Sequence, residues 1–391
     1  MNKFDIIHDN YKDSFIKRNP ATLRSLFGAT DLMPLWIADM DFKIAQEITE
    51  EFQRLIDRGI YAYEFRTDEV FKAISDWNFK RNQLKLNKKA FVQVTGVLTG
   101  ITILIRQLSK VGDGILVQSP VYHQFYKIIK NSNRKIISNP LKKIDGRYEM
   151  DFEDLEQKIQ SENIKIMLLC NPHNPVGRVW SRSELQKLID LANIYNFTII
   201  SDEIHSDIIF SKATFNSIAS FNQEKHISVL GSPAKTFGMQ SIANGYLYIP
   251  NHKLHHQIKQ EISSLYLDHG NAFTAFATIA AYTKGEKWVN ELVEYLEKTV
   301  NWIQEFIKHQ LQGVQLIVPE GTYQIWLDFS HLQLNETKLK KLVFEKAKLA
   351  LAPGLWFDKN QPQFMRMNIA SPLTQIQQAF NQLKLAIHES I

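Results

Sequence analysis

The sequence predicts an α/β protein, a mainly parallel sheet sandwiched by helices, joined to a smaller α+β domain. Three observations carry that prediction. Short apolar runs alternate with stretches of helical periodicity through the middle of the chain, the pattern of βαβ units. The last third changes pattern, with one long amphipathic helix followed by alternating strands. At 391 residues the chain exceeds the usual size of one compact domain, so about two are expected.

The elements follow in order. Phe91–Thr95 reads as a strand and Val97–Leu108 as a helix. Further strands are expected at Ile115–Gln118, Ile164–Cys170, Thr198–Ser201, Ile227–Leu230 and Tyr246–Ile249. The clearest unit runs from Ile164 to Asp202. Ser181 and Glu184 form a Ser-x-x-Glu capping box, and Leu185, Leu188, Ile189 and Ala192 then share one helical face. A right-handed crossover makes the flanking strands parallel, so their carboxyl ends share an edge of the sheet.

Beyond this unit, Trp288–Gln310 suggests a long helix with Val289, Leu292, Val293, Leu296, Val300, Ile303 and Phe306 apolar. Strands are expected at Val314–Val318, Tyr323–Phe329 and Phe364–Ile369, with a helix from about Thr337 and another at the end. Turns at Pro319-Glu320-Gly321 and Ala352-Pro353-Gly354 separate them. The expected division is an N-terminal arm with part of the small domain (1–45), a large α/β domain (46–286) and a small α+β domain (287–391).

Composition narrows the function. The net charge of +5 comes from scattered residues such as Lys142-Lys143 and Lys340-Lys341, with no basic run or tail, which argues against nucleic acid as a partner. The single cysteine, Cys170, rules out an intramolecular disulfide and reads as a small buried hydrophobe. Met1–Asn10 lacks the apolar stretch of a signal peptide, and no segment approaches the ~20 apolar residues of a membrane span. A cytoplasmic protein is expected.

Chemistry concentrates at strand ends. Lys235 follows the run Ile227–Leu230 after a Gly-Ser-Pro turn, where partial desolvation lowers an amine pKa and makes it a usable nucleophile or base. Asp202 ends the strand before it. A lysine with an aspartate is the pair that holds pyridoxal phosphate, one forming a Schiff base and the other facing the pyridine nitrogen. Gly96, Tyr122 and Asn174 also follow strand ends, and ligands of open α/β sheets bind at that edge.

Each candidate has a plainer reading. The Thr95–Thr99 turn, with Gly96 at its centre, could present N–H groups to an anion or be an ordinary strand-to-helix turn. Tyr122 could stack on a flat ring or fill the core. Asn171-Pro172-His173-Asn174-Pro175-Val176-Gly177 is stiffened by two prolines, and Gly177 permits an unusual backbone angle. That rigidity aims the Asn174 amide at a phenolate oxygen better than it suits a mere surface turn. Asp202, His205 and Asp207 lack the further His/Cys spacing of a metal site. His252, His255 and His256 share helical spacing in a lysine-rich segment and read as a solvated face. Arg366 could capture a carboxylate with both arms or join a surface ion pair.

Together these residues resemble the aspartate-aminotransferase-like fold of pyridoxal phosphate enzymes, and within it the carbon–sulfur β-lyases of cystathionine β-lyase type. The likeness covers most of the chain and implies a mainly parallel seven-stranded sheet sandwiched by helices. It rests on Met33-Pro34-Leu35-Trp36-Ile37-Ala38-Asp39-Met40-Asp41-Phe42, Asn171–Val179, Ser201-Asp202-Glu203-Ile204-His205-Ser206-Asp207, and Gly321-Thr322-Tyr323 with Trp326-Leu327-Asp328. The resemblance implies that Lys235 bonds the cofactor and that Asp202 pairs with its pyridine nitrogen. Asn174 would bond the ring oxygen with help from His205, and Tyr122, counted among the catalytic residues, would stack on the ring. Gly96, Val97, Leu98 and Ser232 would surround the phosphate, and Tyr63 would reach the phosphate of a partner subunit in a homodimer with shared active sites. Arg366 would bind the substrate carboxylate, with Trp36 and Asp39 also at the substrate.

Some positions depart from the family pattern. Tyr63 is preceded by Ala62 where glycine is usual. Gly238-Met239-Gln240 stands where the subgroup commonly has an asparagine and small apolar residues, and residues 241–245 lack an arginine or lysine. The loop Phe357–Pro362 lacks the usual glycines, and Leu373 replaces an arginine. The implied reaction is β-elimination from cystathionine, cysteine or a cysteine S-conjugate, giving a thiol, pyruvate and ammonia. An aminotransferase shares its early steps. A regulator built on this fold would usually carry a DNA-binding domain, for which residues 1–32 are too few.

Overall fold

Strands that stay apolar on both faces, as Ile164–Cys170 does, belong to sheets covered by helices on each side. The computed structural model describes residues 2–8, 15–221 and 225–390; of the N-terminal stretch, Met1, Asp9 and Asn10 lie outside the described residues. Seven strands form the large sheet: β1 (Phe91–Val94), β2 (Gly114–Val117), β3 (Lys135–Ser138), β4 (Ile164–Cys170), β5 (Thr198–Asp202), β6 (Ile227–Gly231) and β7 (Gly245–Tyr248). Their order across the sheet is β1-β7-β6-β5-β4-β2-β3. Every neighbour pair is parallel except those of β7, which runs antiparallel to β1 and β6. The carboxyl ends of the other six strands therefore share one edge, and β7 begins there.

The strand absent from the sequence reading is β3, whose Lys-Ile-Ile-Ser lies at the sheet margin and is only partly buried. Four residues with polar ends carry too little apolar signal to register. Helix α1 (Val97–Leu108) follows β1 and buries Ile101, Leu104 and Ile105 against the sheet. Helix α2 (Arg182–Tyr195) opens with the expected capping box: Ser181 Oγ accepts from the Glu184 N–H at 3.2 Å, and Glu184 Oε2 accepts from the Ser181 N–H at 2.8 Å. In the β4–α2–β5 unit Cys170 lies level with Asp202. Lys235 sits on a single turn, α3 (Ala234–Phe237).

The last third begins with the long helix α4 (Glu286–Gln310), which buries Trp288, Val289, Leu292, Leu296, Val300 and Ile303. A four-stranded antiparallel sheet follows, from β8 (Gln315–Ile317), β9 (Gln324–Asp328), β10 (Ala352–Pro353) and β11 (Phe364–Asn368), in the order β8-β9-β11-β10. The helix expected from Thr337 starts at Glu336 and passes into a π-turn over Lys341–Lys346. Helix α5 (Leu373–His388) packs against this layer.

The N-terminal segment joins the same layer. Met33–Pro34 pairs in parallel with Leu349–Ala350, and the Asn368 N–H reaches the Leu35 carbonyl at 2.8 Å. Residues 36–39 then pass between the small sheet and the carboxyl edge of the large one. His255 departs from the solvated face expected of it. It is half-buried, with Nε2 3.3 Å from the Phe91 carbonyl, while His252 and His256 are exposed. Among the described residues no helix is long and apolar enough to cross a membrane, and no cluster of His, Cys, Asp or Glu could hold a metal ion.

Candidate active site

The converging strand ends and the 36–39 segment enclose a cavity of about 530 Å³. Every site residue expected from the sequence lines it except Tyr63. That tyrosine lies in the connection between two helices and is 93% exposed, beside exposed Ile60 and Tyr61.

Lys235 and Asp202 stand at opposite ends of a charge balance. Burial pushes the lysine amine down to about 8, with Asp39 holding it up, Arg366 pushing it lower and Asp202 holding it up. Its Nζ donates to the Ala38 carbonyl at 2.9 Å. Burial raises the Asp202 carboxyl to about 6, against the Ile204 N–H, which donates to Oδ1 at 3.1 Å, and the charge of Lys235. No arginine or lysine forms an ion pair with Asp202 among the described residues. A buried carboxylate without its own cation is stabilised by a cationic ligand atom such as a protonated pyridine nitrogen.

The anion cradle is built from backbone. Gly96 precedes α1 without a side-chain cap, so the first N–H groups of the helix, from Val97 and Leu98 onward, point out unpaired, with the positive end of the helix dipole behind them. Ser232 adds a hydroxyl, which donates to the Asn244 carbonyl at 2.8 Å and accepts from the Ala234 N–H at 3.1 Å. Gly245 lets β7 start close by: a Cβ there would lie 2.9 Å from the Val97 nitrogen. Among the described residues, Lys235 and Arg366 are the only lysine or arginine lining the cavity.

The Asn171–Gly177 turn divides its work. Asn171 frames it, donating from Nδ2 to the Asn216 carbonyl at 2.8 Å and accepting from the Trp180 N–H at 3.2 Å. Gly177 holds φ at 75°, and a Cβ there would meet Pro319 at 2.5 Å. Asn174 lines the cavity. Its Oδ1 accepts from Arg366 at 3.2 Å, which leaves its N–H groups to donate. His205 is buried, with Nδ1 3.3 Å from Thr322 Oγ1, and burial pushes its pKa down to about 3. It is therefore a neutral hydrogen-bonding group at physiological pH.

Arg366 is no surface ion pair. It is 3% exposed, donates to the Trp36 carbonyl at 2.7 Å, and lies 4.8 Å from the Phe357 ring. Its Nε is buried without a partner. A buried guanidinium is destabilising until an anion joins it, and a carboxylate fits its fork. Burial lowers its pKa to about 10.

Sequence reasoning missed part of the wall. His123, Gln124, Trp356 and Gln240 line the cavity as well. The Trp356 ring lies 6.3 Å from that of Trp36 and 5.9 Å from His123, and burial pushes His123 down to about 4. Trp356 comes two residues after Ala352-Pro353-Gly354, read from the sequence as a turn, and an aromatic so close behind such a signal was the available clue. Cys170, expected as a buried hydrophobe, is buried but also lines the cavity, and its Sγ donates to the Pro172 carbonyl at 3.3 Å.

A lysine held near neutrality, a buried carboxylate lacking a cation, an uncapped helix N-terminus and a free guanidinium edge fit pyridoxal phosphate with an amino acid beside it. This is the fold and donor set of a pyridoxal phosphate-dependent enzyme.

Comparison with known proteins agrees. The family model described as aminotransferase class I and II matches residues 30–383. A curated relative, cystathionine beta-lyase PatB of Bacillus subtilis (strain 168), is 35% identical over 93% of this chain and 94% of its own. Among solved structures, pyridoxal 5'-phosphate-containing cystalysin from Treponema denticola superposes with a TM-score of 0.93 at 27% identity over 100% of both chains. The cofactor-bound C–S lyase from Staphylococcus hominis gives 0.90 at 27% identity, over 98% of this chain and 97% of its own. The chain belongs to the class I and II aminotransferase family, and its cofactor is pyridoxal phosphate.

Proposed function

We propose that this chain is a carbon–sulfur β-lyase that cleaves cystathionine, cysteine or cysteine S-conjugates to a thiol, pyruvate and ammonia. The observation that carries the reading is the pairing, in one cavity, of an amine lowered to about 8 and a buried guanidinium with a free Nε. An α-amino acid needs both, one to take its α-proton and one to hold its carboxylate. The choice of elimination over transamination is supported by the names of the Bacillus and Staphylococcus relatives.

Pyridoxal phosphate, when bound, supplies an electron sink that acidifies the α-C–H of an amino acid joined to it. Lys235 would hold the cofactor covalently and, once released, take the α-proton on Nζ as general base. Asp202 would face the ring nitrogen, Asn174 and His205 the ring oxygen, and Tyr122 the ring itself. The Gly96, Val97 and Leu98 backbone and the Ser232 hydroxyl would hold the phosphate. Arg366 would clamp the α-carboxylate, with Trp36 and Asp39 flanking the substrate. The C–S bond breaks with its electron pair on sulfur, and the proton held on Lys235 is available to the departing thiolate. Hydrolysis of the remaining three-carbon enamine yields pyruvate and ammonia. Exposed Tyr63 would serve the phosphate site of a second copy in a homodimer.

The test is incubation of cofactor-loaded enzyme with cystathionine and with cysteine, without any added keto acid. Release of thiol and pyruvate is the expected result. The family description favours a second reading, an aminotransferase. Strict dependence on an added keto acid, with no thiol released, would establish that reading and eliminate the lyase.

A further inference from the structure

The Ala38 carbonyl receives three side-chain donors: Lys235 Nζ at 2.9 Å, Gln240 Nε2 at 3.1 Å and the Tyr323 hydroxyl at 3.2 Å. A carbonyl oxygen offers two lone pairs, so three donors compete for two places. The acceptor cannot shift toward any one of them, because its neighbours are pinned. The Trp36 carbonyl is held by Arg366, that of Ile37 by Asn368, and that of Asp39 by Asn368 and Lys17. Tyr323 is fully buried, with its ring edge-on to His205 at 5.5 Å. Gln240 lies three residues beyond the turn that carries Lys235 and lines the cavity.

We propose that Gln240 and Tyr323 are positioning residues that keep the Lys235 amine available by competing with it for the Ala38 carbonyl. An ammonium bonded to a carbonyl is a charge-assisted donor, and that bond favours the protonated amine. Two neutral donors on the same oxygen weaken it. The amine is then freer to shed its proton and to leave the carbonyl for the cofactor. Asp39, Asp202, Arg366 and His205 act electrostatically on the same lysine or are acted on by it, and substitution at 240 or 323 removes none of them. The inference rests on the assignment of Lys235 as the cofactor-bonding lysine. It adds a role for Gln240, a residue at which this chain departs from the family pattern.

Covalent capture of pyridoxal phosphate by cofactor-free protein reads the amine directly, since only the neutral form attacks the aldehyde. The capture rate is measured against pH by absorbance for the parent chain, Gln240→Leu and Tyr323→Phe. Each substitution returns a lone pair to Lys235, so each midpoint should move up by about half a pH unit, an approximately threefold slower capture on its acid side. The Phe variant keeps the buried ring and so serves if Gln240→Leu folds poorly. A midpoint that stays put or moves down in a folded variant overturns the proposal. Borohydride reduction and peptide mapping separate this from failure of the assignment: cofactor found on another lysine overturns the assignment itself.

Discussion

Replacing Asp202 with asparagine should make the cofactor-free protein relatively more stable as pH rises, while costing it the cofactor. Burial lifts this carboxyl from 3.8 to about 6. The group therefore supports folding fully below its unfolded pKa, and that support is lost as pH rises through the folded pKa. Between those limits the unfolded chain ionises at Asp202 while the folded chain does not. A gap of about two pH units, at about 1.4 kcal/mol each, makes the loss about 3 kcal/mol. Asparagine does not titrate, and its Oδ1 can keep the Ile204 N–H, so pH-independent differences drop out of the comparison. Glu203, raised by burial to about 7 partly through the charge of Asp202, adds in the same direction. Urea unfolding of both cofactor-free proteins at about pH 3 and about pH 7.5 measures the effect. The stability difference, variant minus parent, should grow by about 3 kcal/mol over that range. A difference constant to within about 1 kcal/mol would refute the claim that burial, with no ion-paired cation, governs the Asp202 carboxyl.

Three further outcomes are expected. Arg366→Leu should lower kcat/KM about a hundredfold, mostly through KM, since charge-assisted bonds to a carboxylate contribute about 1.5–3 kcal/mol each; steady-state kinetics on cystathionine checks this. Gly245→Ala sets a Cβ 2.9 Å from the Val97 nitrogen, and equilibrium titration should show pyridoxal phosphate affinity reduced about tenfold or more, about 1.4 kcal/mol. Ser181→Ala removes the cap of α2 and should lower unfolding stability by about 1 kcal/mol without altering cofactor capture.

The β4–α2–β5 unit was legible because its strands are continuous apolar runs and its helix announces itself with a capping box. Once the strands were known to be parallel, the convergence of Gly96, Asn174, Asp202 and Lys235 followed from chain direction alone. Arg366 was different. Its strand alternates, yet both faces of β11 are covered, so periodicity could not distinguish a solvent-facing arginine from a buried one. The Ala38 carbonyl was invisible for another reason: a backbone acceptor carries no side-chain signature, and its donors come from residues 235, 240 and 323. Trp356 and His123 meet only because the small layer lies against the large sheet. His255 was misread because helical spacing reveals a face but not the neighbour, here the Phe91 carbonyl, that covers it.

The 36–39 segment has a consequence for how the protein is made. Its carbonyls are held by Arg366 and Asn368, which lie 330 and 331 residues further along the chain. During synthesis, Lys235 and Asp202 emerge well before those partners exist, and the large sheet can form while one wall of the cavity is still missing. Contacts so distant in sequence are the slowest to form, and a domain assembles as its full chain becomes available. Capture of the cofactor in its finished surroundings is thus among the last events in the life of the nascent chain, and it reports that β11 has reached its place.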